Sequence, residues 1–217
     1  MALAVLLSLA IAPAAAKTVA VQIQLPADPK IDRSGIRRVL VGGFLHNDFE
    51  QVDIEREIVR ILRSDLRKHT DFLILEDPPV NLPEQKLEVL KRNAPFFETI
   101  AADYRADLIV SGRVRYTAED RSGFVQQEFI SPITGRRSIR TVFVERLGYT
   151  LRVDLILVRG SNGELMYETS FFQDEIVDVD GVDPLALFYI LSERFRESYL
   201  AILTARGRTE TRYLYTQ

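Results

Sequence analysis

Residues 38–44 read Arg38-Val39-Leu40-Val41-Gly42-Gly43-Phe44. So short a run, almost continuously apolar, is the pattern of a strand buried on both faces in an α/β sheet, and the glycine pair marks its expected end. Between Asp53 and His69, the residues Ile54, Ile58, Ile61, Leu62 and Leu66 recur at three- and four-residue spacing. That spacing puts them on one face of a helix, with Asp53 placed to cap its N-terminus. A buried strand that leads into an amphipathic helix opens an α/β domain.

Downstream, Phe72 to Leu75 forms a second short strand, closed by Asp77-Pro78-Pro79. Two helical pieces follow, Glu84 to Arg92 and Pro95 to Tyr104, with Pro95 at a helix start where its missing N–H is harmless. Asp107 to Val114 is a third strand. Tyr149 to Val158 alternates, with Leu151, Val153, Leu155 and Leu157 on a buried face and Arg152 and Asp154 on a partly wet one. The turn Arg159-Gly160-Ser161-Asn162-Gly163 carries an Asn-Gly hairpin signal, and Leu165 to Phe172 returns. A last helix starts near Asp183-Pro184 and uses Leu187, Phe188, Leu191, Phe195 and Ile202. The expected fold is α/β: a mixed β-sheet with packed helices in the order β-α-β-α-β-β-β-α, from which a long β-ribbon, residues 116–147, protrudes around a turn at Pro132-Ile133-Thr134-Gly135.

Residues 37–205 form one domain on this reading, preceded by an extended segment at 17–36 whose connector, PADPKIDRSG, is a loop. Residues 1–16, MALAVLLSLAIAPAAA, are laid out as a secretory signal peptide: the apolar run is too short to span a bilayer of ~30 Å, and Ala14-Ala15-Ala16 offers a cleavage site before Lys17. No Lys or Arg precedes the run, and a buried apolar helix is the alternative for this segment. The net charge of −3, with acids and bases interleaved, lacks the field of a nucleic-acid binder. With no cysteine there is no disulfide framework, thiolate metal site or lipidated cysteine in this sequence. No later segment is apolar enough to span a membrane as a helix, so membrane contact is peripheral at most.

The phrases RRVLVGGF, EREIVRILRSDLRKH, FLILE, YRADLIVSGRV and LRVDLILVRGSNGELMYETSF occur in the order found in the CsgG-like group, which this chain resembles over roughly Arg37 to Ser170. That group includes the curli secretion channel, the LpoB-type activators of penicillin-binding proteins, the FlgT-type flagellar component and the N-terminal domain of TolB. Gly42-Gly43 stands where the group usually has a Pro before its Phe, and the 116–147 segment is longer than a simple hairpin requires. The resemblance implies a periplasmic assembly or accessory domain, at most outer-membrane associated, that acts by binding another envelope protein. A subunit of an oligomeric secretion or envelope channel is the alternative, and a homo-oligomer is compatible with either.

No catalytic constellation is legible. There is no G-x-S-x-G elbow, no cysteine and no paired histidine, and Gly42-Gly43 belongs to no phosphate-binding motif, so neither an enzyme nor a cofactor is expected. His46-x-Asp48-x-Glu50, with Asp53 nearby, is the one metal-like spacing, and a solvated loop with helix-capping carboxylates accounts for it better. Arg56, Arg60, Arg63 and Arg67 recur at i, i+4, i+7 and i+11 and form a basic stripe: a docking face for an acidic partner, or a solvated face with Glu55, Glu57 and Asp65 as local partners. In the tail, 206–217, Thr209, Thr211, Tyr213 and Tyr215 alternate as in a strand. That strand completes the domain's own sheet or pairs with a partner, with Tyr213 and Tyr215 as contact residues. In the ribbon, Gln126, Glu128, Arg136, Arg137, Arg140, Glu145 and Arg146 interrupt both alternating rows, which disfavours a membrane barrel and favours a soluble ribbon able to pair with another chain.

Overall fold

A computed structural model describes residues 17–25, 28–133, 135–180, 182–205 and 208–216. Residues 1–16, expected to be a signal peptide, and Thr134 of the ribbon turn lie outside the described residues. In chain order the elements are β1 (Lys17–Leu25), β2 (Arg38–His46), α1 (Ile54–His69), β3 (Leu73–Ile74), α2 (Leu87–Leu90), α3 (Ala94–Tyr104) and β4 (Leu108–Asp120). Then follow β5 (Gly123–Ile130), β6 (Arg137–Val144), β7 (Arg146–Arg159), β8 (Leu165–Asp178), α4 (Pro184–Glu193), α5 (Arg196–Leu203) and β9 (Arg208–Thr216). The fold is α/β with a mixed five-stranded sheet of order β3-β2-β4-β7-β8. β2 pairs in parallel with β3 and β4, and β4, β7 and β8 are antiparallel neighbours.

The pleat explains how one sheet builds two cores. Successive residues point to opposite faces, so Val39, Val41, Val110, Leu151, Val153 and Leu155 meet α1, α4 and α5 on one side. Leu40, Ile109, Ile156 and Val158 meet Leu87, Leu90, Phe97 and Ile100 of α2 and α3 on the other. β2 is therefore apolar at consecutive positions. Burial of these side chains contributes roughly 25 cal/mol per Å² of apolar surface removed from water.

Helix ends follow from their residues. Asp53 caps α1 by accepting from Arg56 N, Asn93 caps α3, and Asp183 caps α4 with Pro184 in its first turn. The expected final helix is two: Arg194 and Phe195 separate α4 from α5, and Phe195 stays buried at the junction. The expected Glu84–Arg92 piece shortens to the single turn of α2. β2 does not end at its glycines but runs through them with a register shift between Val41 and Phe44. A Cβ on Gly43 would lie 2.1 Å from the Val80 carbonyl oxygen, so close backbone approach is the reason for a glycine there. At the β7–β8 turn only Gly163 takes positive φ, +61°, so the loop is longer than a two-residue Asn-Gly turn.

The chain divides into two compact units. Residues 29–204 contain both cores, and the other unit holds β1 and β9. These two strands pair antiparallel over nine residues, from Lys17 opposite Thr216 to Leu25 opposite Arg208. The tail strand thus pairs with the first strand of its own chain in a separate two-stranded sheet and does not extend the five-stranded one.

Candidate interaction surface

The 116–147 segment is not a loop inserted between two strands; it is the continuation of two strands past the body of the domain. β4 and β7 pair as far as Asp120 opposite Leu147, and three residues later Gly123 is opposite Val144 in β5 and β6, the same register. The hydrogen bond from Arg121 N to Arg146 O spans the short break. β8 stays with β7 only to Arg146 opposite Asp178. Beyond that point β5 and β6 form a two-stranded sheet of their own, eight residues or about 27 Å long at ~3.4 Å per residue.

No side chain of β5 or β6 is fully buried. On one face, Phe124 sits opposite Phe143 with ring centroids 5.3 Å apart, and Ile139 and Ile130 continue the row toward the tip. All four are more than half exposed, and Ile133 in the turn is 93% exposed. These large apolar side chains form one open strip along the ribbon. The opposite face carries Val125, Val142 and Phe129, with the Arg140 guanidinium 5.4 Å from the Phe129 ring centre and bonded to Gln127. β8, the edge of the five-stranded sheet, shows a second open row: Phe172, Asp174, Ile176 and Asp178 alternate with the half-buried Phe171, Gln173, Glu175 and Val177.

Beside that row lies a polar cluster. Asp154, 5% exposed, accepts from Ser170 Oγ at 2.6 Å, from Arg113 Nη2 at 2.7 Å and from Arg152 Nε at 3.1 Å. Desolvation raises its pKa, but the hydrogen bonds from Ser170, Arg113 and Arg152 outweigh it and hold the carboxyl below its usual range. Sequence alternation placed Asp154 on the wetter face; its register against Arg113 and Ser170 is what buries it. The cluster borders a shallow cavity of about 290 Å³ that also touches Lys91 and Glu168.

The arginine stripe of α1 is largely engaged within the chain. Arg60 pairs with Glu57 and bonds Tyr189, Arg63 donates to the carbonyls of Val41 (3.0 Å) and Asp77 (2.6 Å), and Arg67 pairs with Glu76. Burial lowers the Arg63 pKa. Arg56 makes no side-chain bond among the described residues. Asp65 serves none of these arginines; it is buried and accepts from Tyr199 Oη at 2.7 Å and Arg196 Nε at 3.0 Å, which ties α1 to α5. Tyr213 and Tyr215 lie opposite Ala20 and Thr18 in the β1–β9 pair, and their side chains are outside the described set.

His46 ends β2 with Nδ1 3.0 Å from the Phe44 carbonyl oxygen, and Asp53 is committed to its helix cap. Among the described residues no three His, Asp or Glu side chains converge as metal ligands. A groove of about 660 Å³ at this end of β2 is lined by His46, Asp48, Glu55, Glu84 and Arg113 among others. Among the described residues no helix is long and apolar enough to cross a membrane.

No protein-family profile matches the chain, and no curated protein matches it. Among solved structures it is similar to PelC from Paraburkholderia phytofirmans, a dodecamer, at 14% identity and a TM-score of 0.39, covering 88% of this chain and 99% of that one. It is also similar to lipoprotein GNA1162 from Neisseria meningitidis, at 13% identity and 0.40, covering 76% and 99%. A third is a neuraminyllactose-binding hemagglutinin homolog from Helicobacter pylori, at 10% identity and 0.40, covering 81% and 83%. At these TM-scores the superpositions carry no functional inference for this chain.

Proposed function

We propose that this chain is a non-catalytic binding or assembly-accessory protein of a Gram-negative cell envelope that acts through protein–protein contact, with the β5–β6 ribbon as its contact element. The observation that carries the reading is the exposed strip Phe124, Phe143, Ile139 and Ile130 on a hairpin that lies outside both cores. A two-stranded hairpin is marginal in water on its own, and here its unpaired edges can accept another strand. The envelope assignment draws on the apolar run before Ala14-Ala15-Ala16 and on the CsgG-like phrases. The same residues support a periplasmic location, with which peripheral contact with the outer membrane is compatible.

The second reading, a subunit of an oligomeric channel, is favoured by the unbroken β4–β5 and β7–β6 register, which lets ribbons from several copies align. The reading is tested with a photo-crosslinking amino acid in place of Phe143 in the producing cells. Adducts to protein are expected, and their loss when Phe124 and Ile139 are both changed to Ser. Absence of any adduct from the ribbon would overturn it. Chromatography with light scattering, with and without detergent, separates the two readings: only a channel subunit gives a detergent-dependent ring.

A further inference from the structure

We infer that the ribbon's partner is a second copy of this chain, and that its β6 strand adds antiparallel to the free edge of β8. The inference rests on the ribbon being the contact element and names what it contacts. Its basis is a register that sets the exposed apolar residues of β6 opposite those of β8 and two arginines of β6 opposite acidic residues of β8.

The first condition is backbone direction. In β8, Val179 N donates to Glu145 O, so odd-numbered residues turn their peptide groups toward β7 and even-numbered ones turn them outward. At β6, the Arg136 carbonyl accepts from Ser131 N on the β5 side, so even-numbered residues face β5 and odd-numbered ones face outward. An odd residue of β6 can therefore form a hydrogen-bonded pair with an even residue of β8.

Side chains then select one register. Placing Ile139 opposite Ile176 of the second copy puts Arg137 opposite Asp178, Thr141 opposite Asp174 and Phe143 opposite Phe172. All eight of these residues are at exposed positions. On the reverse face the same register sets Arg140 opposite Glu175 and Val144 opposite Phe171. A shift of two residues in either direction separates Phe143 from Phe172 and Ile139 from Ile176. Cross-strand aromatic, aliphatic and opposite-charge pairs each contribute roughly 0.2–1 kcal/mol.

Charge is compatible with the register: Arg137 makes no ion pair among the described residues, and Asp178 and Glu175, already paired with Arg146 and Arg194 in their own chain, would each gain a second arginine. The chain's own ribbon cannot fill the site, because β5 and β6 run on past the point where β8 stops. Donor and acceptor are different surfaces, so the contact is head-to-tail and each copy keeps one ribbon and one edge available, as in a ring or a filament.

The absence of native cysteine makes the test direct. Two full-length variants, Ile139→Cys and Ile176→Cys, are purified separately, mixed and oxidised. A hydrogen-bonded antiparallel pair holds its Cα atoms ~5.5 Å apart, within disulfide reach. The expected product is the mixed dimer, while Ile139→Cys mixed with Phe172→Cys, about 13 Å out of register, gives at least tenfold less. Light scattering on the unmodified chain should show multiples of one chain mass, reduced to a single chain by Ile139→Asp. Dimers of either variant alone, equal yields in the two mixtures, or a wild type that stays single would overturn the inference. If the photo-crosslinker at Phe143 then captures a different protein, the proposed function stands and this inference falls; no adduct at all removes both.

Discussion

Asp154 sits where burial alone would favour the neutral acid, and three donors reverse the outcome. Its folded pKa lies below the ordinary carboxylate value of ~3.9. Its ionised form therefore contributes stability at pH above that value, and the contribution is lost as pH falls through the folded pKa. Asp154→Asn should cost about 1–3 kcal/mol near neutral pH, with the gap to wild type narrowing below about pH 4 in thermal scans. A gap that is flat with pH would mean that shape, not charge, matters at this site. The buried Asp65 loses one of its donors in Tyr199→Phe, so that change should lower stability by about 1–2 kcal/mol in urea titrations with no change in slope.

Among elements, the ribbon and the terminal strands should separate from the body in stability measurements. Because β5 and β6 bury no side chain fully, replacing residues 124–143 with a short turn should leave the stability of the 29–204 unit within about 0.5 kcal/mol. Removing residues 208–217 should strip amide-exchange protection from Val19 to Leu25 while amides at Leu151 to Leu157 keep theirs. The strands and helices with a strong period were legible from sequence: Ile54 to Leu66, Leu151 to Leu157 and the apolar run at 38–44 are where they were expected. Less legible was anything decided by a partner strand. Asp154 alternates like a wet residue until Arg113 and Ser170 are set beside it, and the arginines of α1 look free until Val41, Glu76 and Asp77 close on them. The apolar strip of the ribbon was hidden by its charges, since Glu128 and Arg137 share the face of Ile139 and Ile130. Composition along one strand cannot show which side chains the core leaves uncovered.

At the scale of the whole molecule, contacts divide by distance along the chain. β4 to β8 meet their neighbours through successive turns, whereas β2 finds β4 only after α1, β3, α2 and α3 have been laid down between them. Early formation of local pairs lowers the loop-closure entropy that the distant ones must overcome. The β7–β8 turn then acquires a role in time as well as in space. It joins the two longest strands through one tight loop, in which Asn162 Oδ1 accepts from Glu164 N at 3.2 Å. Asn162→Ala should destabilise by about 1 kcal/mol, nearly all of it as slower refolding, while Val39→Ala in β2 should act mainly on the unfolding rate. The turn at Asn162 is on this view the place where the chain commits to its fold, and the parallel strand β2 arrives at a sheet already half built.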